Sequence, residues 1–180
     1  MNKLLLHDRY EQVEEIGKGG SSYVYRVWDH LLKKEWAMKV VEKNANNVIK
    51  NSFHKEIYIL TKLSHKGIPS IIDTFEDETS IYAVMEIVKG KPIDVYVREK
   101  KSVQLLGYMY QVLEILQYLH KQSILYLDLK PQNIMIDEYD AVWLIDFGSC
   151  CFYFERDKVM TGTPRICSKR NFGRKDCRLY

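Results

Sequence analysis

The fold of this chain is decided by Asp128-Leu129-Lys130-Pro131-Gln132-Asn133, which is followed after a short apolar run by Asp146-Phe147-Gly148. Upstream stand Gly17-Lys18-Gly19, between two runs rich in Val and Tyr, and Ala37-Met38-Lys39 on a third such run. Each segment alone is a common accident, because a hairpin turn also needs glycine and a lone charged residue is normally solvated. Their order and spacing along one chain are what indicate the fold.

The residue patterns around these segments predict the helices and strands that hold them. Strands are predicted at Tyr10–Lys18, Tyr23–Asp29, Trp36–Val41, Ile71–Phe75 and Ile81–Met85, with a helix at Lys50–Leu63. A longer helix is predicted from Ser102, because apolar residues recur on one side of it at Leu105, Met109, Val112, Leu113, Leu116 and Leu119. Only short apolar pieces follow, at Ile124-Leu125, Ile134-Met135-Ile136 and Val142–Ile145.

In this order the four segments are the parts of a protein-kinase phosphoryl-transfer site, and the chain resembles a serine/threonine protein kinase of the bacterial type. The resemblance covers Tyr10 to about Pro164. It implies an α+β, two-lobed fold with a complete small lobe, residues 10–88, and an incomplete large lobe, residues 89–164. It also implies ATP- and Mg²⁺-dependent transfer of the γ-phosphoryl group to Ser/Thr hydroxyls of a protein substrate.

By this resemblance, the first glycine-rich turn would cover the phosphates of ATP. The family pattern G-x-G-x-x-G-x-V is matched at Gly17, Gly19 and Val24. Ser22 stands in place of the third glycine. Backbone amides reach phosphate oxygens only where side chains are absent, which explains why glycine is used here.

Lys39 would hold the α- and β-phosphates and pair with Glu56 on the following helix. The other residues that the resemblance assigns to ATP are Ile16 and Gly20 near the turn, Ala37 above the adenine, the gatekeeper Met85, the hinge residues Glu86 and Val88, and Met135 as the floor. The hinge would contact the adenine edge through backbone groups, so no special side chain is needed there.

The catalytic roles follow from the resemblance in the same way. Asp128 would be the base that accepts the substrate hydroxyl proton, and Lys130 would steady the transferred group. Asn133 and Asp146 would bind Mg²⁺, since a hard cation prefers oxygen ligands. The Leu-Lys-Pro-x-Asn form favours Ser/Thr over Tyr substrates.

One departure from the family pattern bears on regulation. The family's His-Arg-Asp is Tyr126-Leu127-Asp128 here. The missing arginine is the group that usually pairs with a phosphate on the activation segment. The base survives, but switching by phosphorylation at Thr161 or Thr163 is not expected.

Composition and charge exclude several classes of protein. The formal charge is +3, but residues from Arg165 onward hold six of the 27 Lys and Arg and one of the 24 Asp and Glu. The preceding chain therefore has 21 basic and 23 acidic residues. The basic surplus lies in the tail, so no nucleic-acid partner is expected.

The N-terminus and the cysteines indicate a cytoplasmic protein. Leu4-Leu5-Leu6 is broken at once by His7-Asp8-Arg9, so neither a signal peptide nor a membrane segment is expected. The four cysteines, at Cys150, Cys151, Cys167 and Cys177, lack metal-site spacing and are expected to be reduced thiols. The oligomeric state is not encoded in any recognisable pattern.

The family pattern breaks after Thr161-Gly162-Thr163-Pro164. An aromatic, two small residues and a Pro-Glu or similar pair are due there, but the chain continues with Arg165 and a basic stretch. The helices that complete the large lobe are absent, which would leave part of the long helix's apolar side exposed. Two other interpretations therefore stay open: an inactive fragment that only binds nucleotide or a partner, and a small-molecule kinase, which Lys130-Pro131 and Thr161-Gly162-Thr163 disfavour.

We hypothesise that residues 165–180 arise from a shifted reading frame. One permitted coding of Ile166 to Arg178, read one base later, gives Tyr-Ala-Ala-Lys-Glu-Thr-Leu-Glu-Glu-Lys-Thr-Val. That sequence supplies the expected aromatic, small, small and Glu positions directly after Arg165. Sequencing the gene across these codons tests the hypothesis. A stop codon early in the shifted frame, or no large-lobe helices downstream of it, would contradict it.

Overall fold

The computed structural model describes residues 5–19, 22–99 and 105–153. The chain divides into two compact units. The first comprises the chain up to Ser64 together with Pro69–Val88, and the second comprises His65–Ile68 together with the chain from Lys89 onward. Among the described helices, none has the length and apolar character needed to cross a membrane. The expectations for Gly20, for Thr161 and Thr163, and for the tail fall outside the described residues.

The first unit is a five-stranded antiparallel sheet with one helix. The strands are β1 (Tyr10–Lys18), β2 (Tyr23–Asp29), β3 (Lys34–Glu42), β4 (Ile71–Glu76) and β5 (Ser80–Met85), and the helix is α1 (Asn47–Thr61). The spatial order of the strands is β1-β2-β3-β5-β4, so β1 and β4 form the edges. All five predicted strands and the helix are therefore confirmed, and β1 and β2 have the predicted bounds.

The edge strand β1 is irregular at two places. Its register with β2 shifts between Gln12 and Glu14 and again between Glu15 and Gly17. Val13 and Ile16 lie at these shifts and are about half exposed, at 47% and 45%. An extra residue in one strand of a pair bends the strand and redirects its side chains. The alternation of β1 is thus broken just before the glycine-rich turn.

Helix α1 begins three residues before the predicted start because Asn46 caps it. The Asn46 side chain accepts a hydrogen bond from the backbone amide of Ile49, at 3.0 Å. This satisfies one of the amides that a helix start leaves without a partner. The side facing the sheet buries Phe53, Glu56, Ile59 and Leu60.

The two faces of the sheet carry separate clusters of apolar residues. One cluster is rich in aromatic residues and comprises Tyr10, Val27, Trp36, Met38, Tyr82 and Val84. The other joins the sheet to α1 and comprises Val41, Phe53, Ile81 and Ala83. Neighbouring residues of a strand point to opposite faces, so Ala83 and Val84 belong to different clusters.

A buried carboxylate fixes the end of β2. Asp29 is fully buried, and Arg9 donates two hydrogen bonds to it, at 3.0 and 2.7 Å. The Trp36 indole and the backbone amides of Leu31 and Leu32 also donate to Asp29. Burial alone would raise the pKa of Asp29, but these hydrogen bonds outweigh it and lower the pKa to about 2. The carboxylate therefore stays ionised in the folded protein.

In its described residues, the second unit combines two helices with two small sheets. Its elements are β6 (Gly90–Pro92), α2 (Ile93–Glu99), α3 (Leu105–Lys121), β7 (Ile124–Tyr126), a 3₁₀ turn (Pro131–Asn133), β8 (Ile134–Asp137), β9 (Val142–Leu144) and β10 (Cys150–Phe152). The sheets have the orders β6-β8-β9 and β7-β10. The α+β class predicted from the sequence is confirmed by the two units together.

Helix α3 exposes part of its apolar surface, as expected. Its buried side is formed by Tyr108, Val112, Ile115 and Leu119. The large apolar residues that it exposes are Leu105, Leu106, Met109, Tyr110 and Leu113. Of the apolar side predicted from spacing, Val112 and Leu119 are buried, whereas Leu105, Met109 and Leu113 are exposed. Leu106, next to this side, is 77% exposed.

Candidate active site

In the first unit, Lys39 and Glu56 form the ion pair that the sequence predicts. The ammonium of Lys39 on β3 donates to both carboxylate oxygens of Glu56 on α1, each at 2.7 Å. Glu56 is only 4% exposed, so its charge is stabilised by this partner rather than by water. Lys39 also lies over the Phe53 ring, at 5.9 Å from its centre. The pair therefore fixes a cation on the sheet face that α1 covers.

Four of the residues assigned to ATP share that sheet face. Val24 lies opposite Lys39 across the β2–β3 pair, and Ala37 lies opposite Met85 across the β3–β5 pair. Ala37 and Lys39 are two positions apart on β3, so both point to one face. The structure thus brings Val24, Ala37, Lys39 and Met85 together, while their role in binding ATP stays a prediction.

The glycine-rich turn is tight in its described part. The Gly19 amide donates to the Ser22 carbonyl at 2.8 Å. A Cβ atom on Gly19 would lie 3.0 Å from the Ser22 hydroxyl oxygen, whereas one on Gly17 would meet Val24 at an ordinary 3.5 Å. Close approach therefore constrains Gly19 more than Gly17.

The remaining residues assigned to ATP lie neither on the sheet face with Lys39 nor in the glycine-rich turn. Ile16 sits at the second irregularity of β1. Glu86 follows β5, where its amide donates to the Ser70 carbonyl at 2.9 Å, and Val88 ends the first unit. Met135 lies in the second unit on β8, where it pairs with Pro92 and Trp143.

In the second unit, Asp128 is held by two side chains that the sequence also singled out. The Lys130 ammonium donates to Asp128 Oδ2 at 2.6 Å. The Asn133 amide nitrogen donates to the Asp128 carbonyl at 3.0 Å and reaches Oδ2 at 3.3 Å. The rotamer of Asp128 is thereby fixed, which is what a group that accepts a proton at a defined point requires.

Asn133 and Asp146 both lie at the open end of a hairpin. Strand β8 starts directly after Asn133, and β9 ends two residues before Asp146. The Ile145 amide donates to the Asn133 carbonyl at 3.1 Å, which ties the two strand ends together. The Gly148 amide donates to Asp146 Oδ1 at 3.2 Å and orients that carboxylate.

These two side chains are of the types that could hold a magnesium ion. The amide nitrogen of Asn133 is engaged by Asp128, so its oxygen is the atom that would face a cation. Within residues 5–19, 22–99 and 105–153, no group of three or more His, Cys, Asp or Glu could hold a metal. One carboxylate and one amide are nevertheless typical of Mg²⁺ sites that take further ligands from water and phosphate oxygens.

The residues beside this pair form a buried contact. The Tyr126 ring packs edge-on against Phe147, with the ring centres 5.4 Å apart. Burial raises the pKa of Tyr126, so its phenol stays neutral. Tyr126 also pairs with Cys150 across β7 and β10. Cys150 and Cys151 are buried, whereas Cys167 and Cys177 lie outside the described residues.

His65 has a packing role. Its Nδ1 accepts a hydrogen bond from the Gly67 amide at 3.0 Å, and its ring lies 4.9 Å from that of Tyr118. Burial lowers the pKa of His65, which keeps the ring neutral.

Sequence reasoning missed a group of polar residues at the other end of the β8–β9 hairpin. Tyr96 on α2 and Tyr108 on α3 both donate hydrogen bonds to Asp140 in the turn of the hairpin. Tyr108 lies on a predicted helix, where an aromatic residue is normally surface or core, and no sequence signal pointed to Tyr96 or Asp140. No local pattern links positions so far apart in the chain.

Comparison with known proteins identifies the family to which these features belong. The model of the protein kinase domain family matches residues 10–172, which extends past the predicted limit at Pro164. The chain is 34% identical over 169 residues to calcium-dependent protein kinase 3 of Plasmodium yoelii yoelii, covering 88% of this chain and 31% of that protein. It is 37% identical over 144 residues to a probable myosin light chain kinase of Dictyostelium discoideum, covering 77% and 45%.

Bacterial proteins are among the relatives as well. The chain is 31% identical over 162 residues to the probable serine/threonine-protein kinase PknB of Lactococcus lactis, covering 87% of this chain and 26% of that protein. It thus spans less than half of the length of each of these three curated relatives.

Proposed function

Because the chain belongs to the protein kinase family, we propose that it binds ATP together with Mg²⁺ and transfers the γ-phosphoryl group to Ser/Thr hydroxyls of a protein substrate. The observation that supports this most strongly is the arrangement in the second unit, where Lys130 and Asn133 hold Asp128 and where Asn133 is hydrogen-bonded to Ile145, the residue before Asp146. Each of these residues has a distinct chemical task in phosphoryl transfer.

Asp128 is the base in this proposal. Its carboxylate accepts the proton of the substrate hydroxyl, which makes the oxygen a better nucleophile and aims it at the phosphorus atom. The hydrogen bond from Lys130 places a positive charge beside the same carboxylate, where it stabilises the transferred group. Bound Mg²⁺ would neutralise phosphate charge, and Asn133 and Asp146 are the residues that would hold it.

Lys39 binds the α- and β-phosphates in this proposal. Its pairing with Glu56 keeps the ammonium extended over the sheet face instead of folded toward solvent. The glycine turn supplies amides that approach the phosphates without steric hindrance from side chains. Both features lie within the first unit.

The partner and the location are proposed on narrower grounds. A protein substrate with a Ser or Thr hydroxyl fits the Lys130-Pro131 form of the catalytic segment. A cytoplasmic location fits the cysteine spacing of the sequence, which is typical of reduced thiols in a reducing compartment.

A second candidate function is nucleotide or partner binding without phosphoryl transfer. The observation that favours it is the exposed apolar side of α3, in the same unit as Asp128. Apolar patches of this kind on a protein surface usually have a partner. The two functions are separated by measuring ATP binding and phosphate transfer on the same preparation.

Calorimetric titration of ATP with and without Mg²⁺ tests the binding common to both candidates. Wild type is expected to bind ATP more tightly with Mg²⁺. The double variant Lys39→Met, Asp146→Ala is expected to bind about 100-fold more weakly, because each change removes a charged contact. The control is Lys66→Met, Glu78→Ala, which changes an exposed lysine and an exposed carboxylate. Equal binding of ATP by wild type and the site variant would contradict the proposal. Transfer of labelled phosphate to a Ser/Thr peptide, measured on the same preparation, separates the two candidate functions.

A further inference from the structure

The hairpin that carries the two candidate Mg²⁺ ligands is short. Strands β8 and β9 pair at Ile134 with Leu144, at Met135 with Trp143 and at Ile136 with Val142. Asn133 and Asp146 lie beyond the open end, and Asp140 lies in the turn at the closed end. Strand β8 also pairs with β6, and the Leu144 amide donates to the Gly67 carbonyl at 2.9 Å, so the closed end is one of several supports that set the position of the open end.

The closed end is gripped by a cluster that we call the tyrosine clamp, formed by Tyr96, Tyr108 and Asp140. Both tyrosine hydroxyls donate to Asp140 Oδ1, that of Tyr108 at 2.8 Å. The two rings are nearly perpendicular, with centres 5.8 Å apart, and both side chains are buried. Burial raises the pKa of Tyr108, so its hydroxyl remains a donor at neutral pH.

Asp140 has a backbone conformation that side chains disfavour. Its φ is +60°, in the left-handed region where glycine is the usual residue. Glycine would relieve this strain but would leave both tyrosine hydroxyls without their acceptor. An aspartate in this turn thus tolerates backbone strain and supplies the acceptor for both tyrosine hydroxyls.

Gln111 on α3 also holds the backbone of the hairpin turn. Its amide nitrogen donates to the Asp140 carbonyl at 3.2 Å, and its amide oxygen accepts from the Val142 amide at 3.0 Å. Helix α3 therefore holds both sides of the turn through Tyr108 and Gln111.

The same helix also leads to the candidate base. After α3, the chain passes through β7 to Asp128, and Asn133 donates back to the Asp128 carbonyl at 3.0 Å. Asp128 and the hairpin thus share α3 as a common support, and any shift of the hairpin along α3 moves Asn133 and Asp146 relative to Asp128.

We propose that the tyrosine clamp positions Asn133 and Asp146 for Mg²⁺ by fixing the β8–β9 hairpin on α3. This inference rests on the proposed function, because it assigns the clamp a role in Mg²⁺ binding at the same site. Tyr96, Tyr108 and Asp140 are positioning residues here, since they act through the hairpin and do not contact the ligand.

The test compares the Mg²⁺ concentration that half-saturates ATP binding in Asp140→Gly and Tyr108→Phe. Asp140→Gly suits the left-handed backbone but removes the acceptor, and Tyr108→Phe removes one donor without changing the ring. Each is expected to raise the half-saturating Mg²⁺ concentration about 5- to 10-fold. This is at or below the smallest loss of metal affinity usual when a hydrogen-bond partner of a metal ligand is removed. ATP binding without Mg²⁺ is expected to stay unchanged.

Trp143→Phe is the matched control. It removes the indole hydrogen bond to Asp137, 2.9 Å long, from the same hairpin but leaves the clamp intact. If the clamp variants melt at lower temperature but need no more Mg²⁺ than this control, the clamp only stabilises the fold and the inference is wrong. If wild type itself shows no Mg²⁺-dependent ATP binding, the proposed function fails and the inference fails with it. If Tyr108→Phe does not fold, Asp140→Gly and Tyr96→Phe decide the question.

Discussion

Replacing Asp128 with asparagine is expected to lower the rate of phosphate transfer to a Ser/Thr peptide by about 100-fold or more. Asparagine keeps the shape of the side chain and can still contact Lys130, but it cannot accept the substrate proton. Lys130 and Asn133 hold Asp128 from two sides, so the variant should fold normally. The measurement is a single turnover with the protein in excess over labelled ATP, which detects even slow transfer.

Two comparisons make that result specific. Mg²⁺-dependent ATP binding by Asp128→Asn should match wild type, because Asp128 is not among the residues proposed to hold ATP or Mg²⁺. Asp8→Asn, at an exposed position in the first unit, serves as the control for loss of a carboxylate. A transfer rate for Asp128→Asn within twofold of the control would show that Asp128 is not the base.

Replacing Asp29 with asparagine is expected to lower the free energy of unfolding at pH 7 by about 2 to 3 kcal/mol. The ordinary pKa of 3.8 falls to about 2 in the folded protein, so the charged carboxylate favours the folded state. The variant puts a neutral amide against the Arg9 guanidinium, which loses the charged partner at 2.7 Å and keeps Asp73 at 3.1 Å. Urea unfolding followed by tryptophan fluorescence measures the loss, since Trp36 donates to Asp29.

The pH dependence identifies the charge as the cause. A carboxylate whose folded pKa is lowered contributes its full stabilisation above the unfolded pKa, near pH 4, and loses it as the pH falls toward 2. The difference between wild type and Asp29→Asn should therefore shrink over this range. A difference that is the same at pH 7 and pH 2.5 would assign the effect to packing and not to ionisation.

Much of the first unit was predictable because its signals are local. Runs rich in Val, Tyr and Ile on either side of the glycine-rich turn predict β1 and β2 with their observed bounds, and the side of α1 that carries Phe53 shows helical spacing. The pairing of Lys39 with Glu56 was reached only through the resemblance, since nothing local says that a charge on a strand meets one on a helix.

The second unit was less predictable because its elements are short. Helix α2 has seven residues, and β6 and β10 have three each, too few for a periodic pattern to emerge. The buried side of α3 includes Tyr108, which a spacing rule based on aliphatic residues passes over.

Contacts between residues distant in sequence account for the remaining gaps. Asp140 meets Tyr96, 44 positions earlier, and Arg9 meets Asp73, 64 positions later. Such contacts depend on the assembled structure, whereas spacing rules describe one element at a time. The order of motifs could reveal the candidate base and ligands, but not the residues that support them.

The irregular register of β1 affects how separate molecules meet in concentrated solution. An edge strand normally offers an unbroken row of amides and carbonyls to which a second chain can add, and exposed Val and Ile side chains strengthen that tendency. In β1 the shifts at Val13 and Ile16 interrupt the row twice within nine residues. A neighbouring strand could thus match only short stretches of this edge before losing register. The same irregularities that bend β1 therefore protect this edge of the sheet from strand-to-strand aggregation.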